Sequence, residues 1–233
     1  MKRLFSILVL MALLMLPASM CAQEKVEASV GADVVSKYIW RGQDCGEGAI
    51  QPGASISYAG LSLSAWGSYG FVDTDDAKEF DLTLAYSIGG FTVGITDYFI
   101  AGDDAQYFKY EAHETAHVFE ANVGYDFGPV ALNWYTVFAG ADGVNSDGDR
   151  AYSSYCEISA PFKLGGLEWG AAVGFVPYAT SFYADVDGFA VTNITLSAAK
   201  DIQITEKFAL PLFASITANP ATSKMYFTCG LSF

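Results

Sequence analysis

Long apolar runs are nearly absent from this 233-residue chain, although 52% of its residues are hydrophobic and its mean hydropathy is +0.27. Positive charge is scarce as well. Twelve Lys and Arg stand against 26 Asp and Glu, a net charge of -14, and no basic cluster stands out, so binding to nucleic-acid phosphates is excluded. Four cysteines with no CxxC spacing give neither a disulfide framework nor a zinc site. Only 16% of residues are charged and only seven are Pro, which excludes a disordered chain. No segment after the N-terminus carries a long helical period.

The one sustained apolar run is N-terminal, and residues 1–22 read as a secretory signal peptide. Lys2 and Arg3 form its basic start and Phe5 to Leu16 its apolar stretch. Pro17, Ala18 and Ser19 then break the run before a small-residue exit near Ala22-Gln23. Cys21 raises a lipoprotein reading, but Met20 is bulky where a lipidation site needs a small residue, so cleavage without lipidation is expected. Removing two basic residues takes the charge from -14 to -16. Residues 23–233 remain as one strongly acidic domain with Cys45, Cys156 and Cys229 as incidental thiols.

What fills that domain is alternation. Val26, Ala28, Val30, Ala32 and Val34 share one face, with Glu27, Ser29, Gly31 and Asp33 on the other, the signature of a strand. Similar runs begin near Leu61, Phe80, Phe91, Phe119, Val130, Ile158, Leu167, Phe208 and Met225. Weaker alternation over 50–58 and 190–198 brings the total to about twelve strands. Tight turns at Ala59-Gly60, Gly89-Gly90, Gly128-Pro129 and Gly165-Gly166, and a slightly longer one at 201–206, suit hairpins. Longer polar connections at 42–49, 72–78, 101–116, 140–149, 177–188 and 218–223 alternate with them.

Such sorting predicts an all-β, antiparallel transmembrane barrel, with short periplasmic turns and longer extracellular loops. The second face supports the same choice. It carries Ser55, Ser57, Ser62, Ser64, Gly94, Thr96, Ala172 and Gly174, too small to fill a sandwich core but suited to a lumen. Tyr38, Trp40, Phe91, Phe127, Trp134 and Phe175 lie near strand ends, where an interfacial girdle in outer-membrane lipid would need them. The last strand alternates from Met225 to Phe233 and resembles the signal read by the barrel-assembly machinery of bacterial outer-membrane proteins.

Asp33-Val34-Val35-Ser36-Lys37-Tyr38-Ile39-Trp40-Arg41-Gly42, followed by Gln51-Pro52, resembles the opening of the TorF-type porin family. There a first strand ends in Ser-x-Tyr-x-x-Arg-Gly and the second begins with Gln-Pro. The resemblance is specific over residues 33–58 and architectural beyond them. It implies a Gram-negative outer-membrane channel. The stretch Asp44-Cys45-Gly46-Glu47 follows no pattern of that family and leaves the solute open.

Carried along the alternation, Asp33, Lys37, Arg41, Asp81, Glu120, Asp126, Glu157 and Glu168 point into the lumen. They form either an acidic, cation-favouring pore with Lys37 and Arg41 as a cationic patch, or a salt-bridged network that plugs the barrel. His113-Glu114-Thr115-Ala116-His117 matches H-E-x-x-H and uses both histidines. A zinc hydrolase would need that motif on a helix with a third ligand, whereas here it runs into a strand, so a mobile acidic loop is expected instead. Asp147 and Asp149, with Asn145, lie in one of several acidic loops. Their spacing lacks that of a calcium loop, so a solvated rim is expected. No catalytic nucleophile with a histidine partner stands out, and Asn193-Ile194-Thr195 is an incidental sequon. The expected role is passive diffusion of small hydrophilic, neutral or cationic solutes, with no cofactor and no enzyme activity. The alternatives are a closed structural or surface-interaction barrel and a metal-dependent outer-membrane hydrolase.

Overall fold

The computed structural model describes residues 25–72, 76, 78–102, 105–111, 114–206 and 208–233. The leader segment 1–22, His113, and Asp73, Asp75, Asp103 and Asp104 of the acidic loops lie outside the described residues. The strands are β1 (Glu27–Val35), β2 (Tyr38–Trp40), β3 (Gln43–Gly46), β4 (Ala49–Tyr58), β5 (Leu61–Gly70), β6 (Lys78–Ile88) and β7 (Phe91–Ala101). They continue as β8 (His117–Asp126), β9 (Ala131–Gly140), β10 (Ser154–Leu164), β11 (Leu167–Val176), β12 (Ala190–Thr205), β13 (Phe208–Asn219) and β14 (Lys224–Ser232). No helix occurs among the described residues.

Twelve of these, β1 and β4–β14, form a closed antiparallel barrel in chain order. Closure is made by β1, which pairs with β4 along its whole length and with β14 at Asp33↔Ser232 and Val34↔Leu231. Phe233 extends that seam, exchanging backbone hydrogen bonds with Ala32. A strand spacing of about 4.8 Å and a tilt of about 40° close twelve strands on a backbone radius of about 12 Å, wide enough for an interior space unless something fills it.

The alternation produces the two faces. Leu63, Leu84, Ile95, Ile158, Leu196 and Ile216 point outward and each expose 45–51% of their surface. Inward positions carry hydroxyl pairs that bond across neighbouring strands: Ser29 with Ser55 at 2.7 Å, Thr83 with Thr96 at 2.9 Å, and Thr195 with Thr217 at 2.8 Å. These pairs satisfy small polar groups without occupying the space beyond them.

At one end the strands are joined by two-residue turns at 59–60, 89–90 and 165–166 and by four residues at 127–130. Gly165 and Gly166 both take positive φ, 62° and 77°, which matches the turn to the twist of the strands. The opposite end carries the long connections 36–48, 71–77, 102–116, 141–153 and 177–189. The connection expected at 218–223 departs from this pattern. It shortens to 220–223 because Asn219 pairs with Lys224 and the Asn219 side chain accepts the Thr222 N–H, closing a four-residue turn.

The larger departure is at the start. β1 stops at Val35, and the Lys37–Arg41 stretch expected to continue it leaves the wall as the hairpin β2–β3. Tyr38, Ile39 and Trp40 are three apolar residues in a row, a pattern for a segment with protein on both faces rather than for a barrel wall. Arg41 and Gly42 then turn the chain with φ of 52° and 83°. Tyr38 and Trp40 therefore lie inside the barrel and not in an outer girdle: Tyr38 packs on Trp66 of β5 at 5.5 Å and Trp40 on Tyr98 of β7 at 5.6 Å.

Candidate functional site

The β2–β3 hairpin crosses the lumen from the β1–β4 seam to the opposite wall. Its Arg41 side chain reaches that far wall, while the backbone of its tip is locked on β12 and β13, three and two strands round from β1. A Cβ on Gly42 would fall 1.9 Å from the Thr192 carbonyl oxygen on β12, so only glycine fits, and Asn219 of β13 donates its amide to the Gly42 carbonyl at 2.9 Å. Arg41 meets Glu120 of β8 through two hydrogen bonds of 2.5 and 2.9 Å, and its guanidinium lies 3.9 Å over the Tyr135 ring. Glu120 also accepts the hydroxyls of Tyr98 at 2.9 Å and Tyr183 at 2.5 Å. Four donors thus converge on one carboxylate that is only 1% exposed.

Burial disfavours the Arg41 charge, but the adjacent Glu120 carboxylate outweighs it and holds the guanidinium well above its ordinary value. Tyr183 belongs to the 177–189 connection, and burial pushes its hydroxyl up as well. Tyr98, Val118, Val137, Tyr155, Val176 and Tyr183 form the main buried apolar cluster, with Trp40 and Phe182 packed against it. The end of the barrel that bears the long loops is therefore filled by a core made from wall, hairpin and loop.

Beyond the plug the interior opens. One cavity of about 400 Å³ is bounded by Asp33, Lys37, Arg41, Gln51, Glu157 and Thr228, among others. A second of about 400 Å³, lined by Asp126, Ser159, Gly170 and Ser197, leads toward the short-turn end. Ala172 and Thr195 line both, so the two spaces adjoin along β11 and β12.

The eight residues expected in the lumen separate into three levels. Arg41, Glu120 and Asp81 belong to the plugged end, where Asp81 on β6 is buried with its Oδ1 unpartnered. Arg41 enters the lumen as expected but is delivered by the hairpin. Lys37 sits at the hairpin's root, paired with Asp44 at 3.0 Å and Glu47 at 2.6 Å, and the Glu47 bond, working against desolvation, raises its ammonium pKa. Asp33 and Glu157 face the first cavity, and Glu157 accepts the Tyr155 hydroxyl at 2.6 Å and the Asn193 amide at 3.3 Å. Asn193 of the sequon is thus an interior group. Asp126 accepts the Gly128 N–H at 2.7 Å in a turn, and Glu168 pairs with Lys163 at 2.5 Å, both at the short-turn end.

Sequence reasoning missed Glu79, Tyr98, Trp40 and Tyr183 as interior groups. Glu79 shares its parity with Asp81, and the unbroken apolar triplet 38–40 marked the hairpin; nothing local marks Tyr183, which reaches the site from a loop.

The described residues of the H-E-x-x-H motif, Glu114 and His117, do not converge. Glu114 pairs with Lys109 at 2.7 Å, which lowers its carboxyl pKa. His117 lies on the outer face of β8, fully buried, with Nδ1 2.7 Å from Asp97 and Nε2 2.6 Å from the Tyr107 carbonyl, and stacked on Tyr110. In the loop at 144–150 the Asn145 side chain, accepting the N–H groups of Asp147 and Asp149, organises the turn, and both carboxylates are exposed. Among the described residues no group of three or more His, Cys, Asp or Glu is placed to hold a metal. The three thiols are free. Cys229 is exposed, and Cys156 points outward but is buried beside its register partners Phe175 and Trp134.

Together these features define a closed β-barrel with an in-folded hairpin, an ion-paired plug and a polar space beneath it. No protein-family model matches the chain, and no curated protein is significantly similar to it.

Proposed function

We propose that this chain is a Gram-negative outer-membrane channel of the TorF type, a barrel set in lipid that passes small hydrophilic solutes, neutral or cationic, along a lumen narrowed by its first loop. The observation that carries this reading is the pair of adjoining cavities, the first lined by charged and polar groups and the second largely by small Ala, Gly and Ser residues, which run from under the hairpin toward the short-turn end. Three features support the membrane setting. Every wall strand exposes large apolar residues on the outer face, the connections are long at one end and shorter at the other, and the apolar residues 5–16 suit export. The strand from Met225 to Phe233 closes the barrel against β1 and is the segment we assign to the barrel-assembly machinery.

A closed barrel is the second reading, favoured by the Arg41–Glu120 clamp that seats the hairpin across the lumen. The hydrolase reading gains no support, since Glu114 is turned to Lys109 and the His117 ring nitrogens are both engaged. Planar-bilayer recording of the refolded chain separates the first two. A channel gives small, cation-preferring currents that grow when residues 37–47 are replaced by a short flexible turn. Currents only after that replacement indicate the closed barrel, and none from either protein removes the pore.

A further inference from the structure

The β2–β3 hairpin divides the filled end of the lumen, and on its β6–β7 side it leaves a separate cavity of about 320 Å³. Four aromatic rings line it: Tyr38 and Trp40 from the hairpin, Tyr98 from β7 and Phe182 from the 177–189 loop. Its charged lining is carboxylate, Glu79 from β6 and Asp44 from β3. Two residues along β6 from Glu79, on the same inward face, lies Asp81, just behind the lining. Asp81 is 91% buried, yet its Oδ1 has no partner.

Two adjacent interior carboxyl groups call for a positive partner, and the basic groups nearby are committed elsewhere. Arg41 is bound to Glu120 and Lys37 to Asp44 and Glu47. Lys78, adjacent in sequence to Glu79, points to the other face and lies 5.6 Å over the Tyr69 ring. Among the described residues no cation forms an ion pair with Glu79 or Asp81. A hard metal ion is a poor match, because it takes six or more oxygen ligands and only two carboxylates, Glu79 and Asp44, stand among rings and Ile100 in this lining. An ammonium group with an apolar body suits both parts of the cavity. The charge can donate to the Glu79 carboxylate while the body packs on ring faces.

We propose that this cavity is a binding site for a small organic cation, a protonated primary amine carrying an apolar or aromatic group, with the Glu79 carboxylate receiving the ammonium, Asp81 adding its charge from behind the lining, and Trp40 and Tyr98 holding the body. Its role as an entry site for permeating cations rests on the channel reading above; the binding itself does not.

The refolded full chain in detergent micelles is titrated with phenethylammonium, neutral 2-phenylethanol and anionic 3-phenylpropionate, followed by calorimetry and by quenching of tryptophan emission. Saturable binding of the ammonium ion is expected, at least tenfold tighter than the alcohol, with no binding of the anion. Glu79→Gln and Asp81→Asn, near-isosteric and checked for native circular dichroism, each weaken it at least tenfold. Absence of saturable ammonium binding, equal affinity for the alcohol, or unchanged affinity in folded variants overturns the site. The comparison of probes on the unmodified chain decides the matter even if a variant does not fold. Bilayer currents from the same preparation test the channel separately: binding without current overturns the channel alone, and current without binding overturns the site alone.

Discussion

Replacing Arg41 by Ala removes the one cation that faces Glu120 and leaves a carboxylate that is 1% exposed with only the Tyr98 and Tyr183 hydroxyls as side-chain donors. Breaking a buried pair in this one-sided way costs about 3–5 kcal/mol, because the surviving charge stays desolvated. At about 1.4 kcal/mol per factor of ten, the ratio of docked to undocked hairpin falls by roughly two to four powers of ten. Arg41→Ala should therefore lower the urea midpoint of the refolded barrel and convert small steady currents into larger, fluctuating ones. The double variant with Glu120→Gln supplies the control. A neutral amide keeps the shape and can still bond the tyrosines, so the two substitutions together should cost less than their sum by about 1 kcal/mol or more. Arg41→Ala with unchanged current and unchanged midpoint would refute the view that this pair holds the plug.

Three other perturbations probe the same architecture. Gly42→Ala places a Cβ against the Thr192 carbonyl at a φ of +83°, so it should reproduce the Arg41→Ala current phenotype without touching a charge, whereas wild-type currents would show that the tip is not seated on β12. Burial, then the nearby Glu79, pushes the Cys45 thiol from about 9 up to about 12, so its neutral form persists far above pH 8. Since the thiolate is the nucleophile, N-ethylmaleimide at pH 8 should label a variant retaining only Cys45 about a thousandfold more slowly folded than urea-unfolded, with the folded rate rising steadily toward pH 12; equal rates at pH 8 would contradict that burial. His117→Ala deletes a ring held between Asp97 and the Tyr107 carbonyl on the outer face, and should lower stability by about 2–4 kcal/mol while leaving currents unaltered. Loss of current with full stability would place His117 in the conduction path instead.

The wall of the barrel was readable because lumen and exterior impose a strict period of two. Leu61-Leu63 outward and Ser62-Ser64 inward declare both the strand and its orientation. That same period misled where it continued by accident. Lys37 and Arg41 keep the parity of Asp33, but the chain between them carries Tyr38-Ile39-Trp40, and a segment apolar on consecutive residues belongs inside. The Arg41–Glu120 pair could be anticipated as a set of interior charges but not as a contact, because 79 residues separate its members and only barrel closure brings them together. Tyr183 was harder still. Its hydroxyl reaches Glu120 from a connection whose fold depends on the isolated Thr180↔Val186 bridge, for which a polar loop sequence carries no periodic signal.

The plug also changes which charges are left to select solutes. Arg41 and Glu120 neutralise each other, and Lys37 is held by two acids, so neither supplies a free positive field to the space beneath. What faces that space without an ion-pair partner among the described residues is acidic, Asp33 on β1 and Glu157 on β10. A carboxylate about 4 Å from a passing monovalent ion in water-like surroundings contributes about 1 kcal/mol, a factor of about five in local cation concentration. Asp33→Asn should then lower the cation-to-anion permeability ratio by about that factor without changing the barrel's urea midpoint. Because screening shortens the reach of such a charge, the difference between the two proteins should shrink as salt rises from about 0.1 M to about 1 M. Reversal potentials across a tenfold salt gradient measure it. A ratio unmoved by Asp33→Asn at low salt would mean that ions pass elsewhere than along this wall.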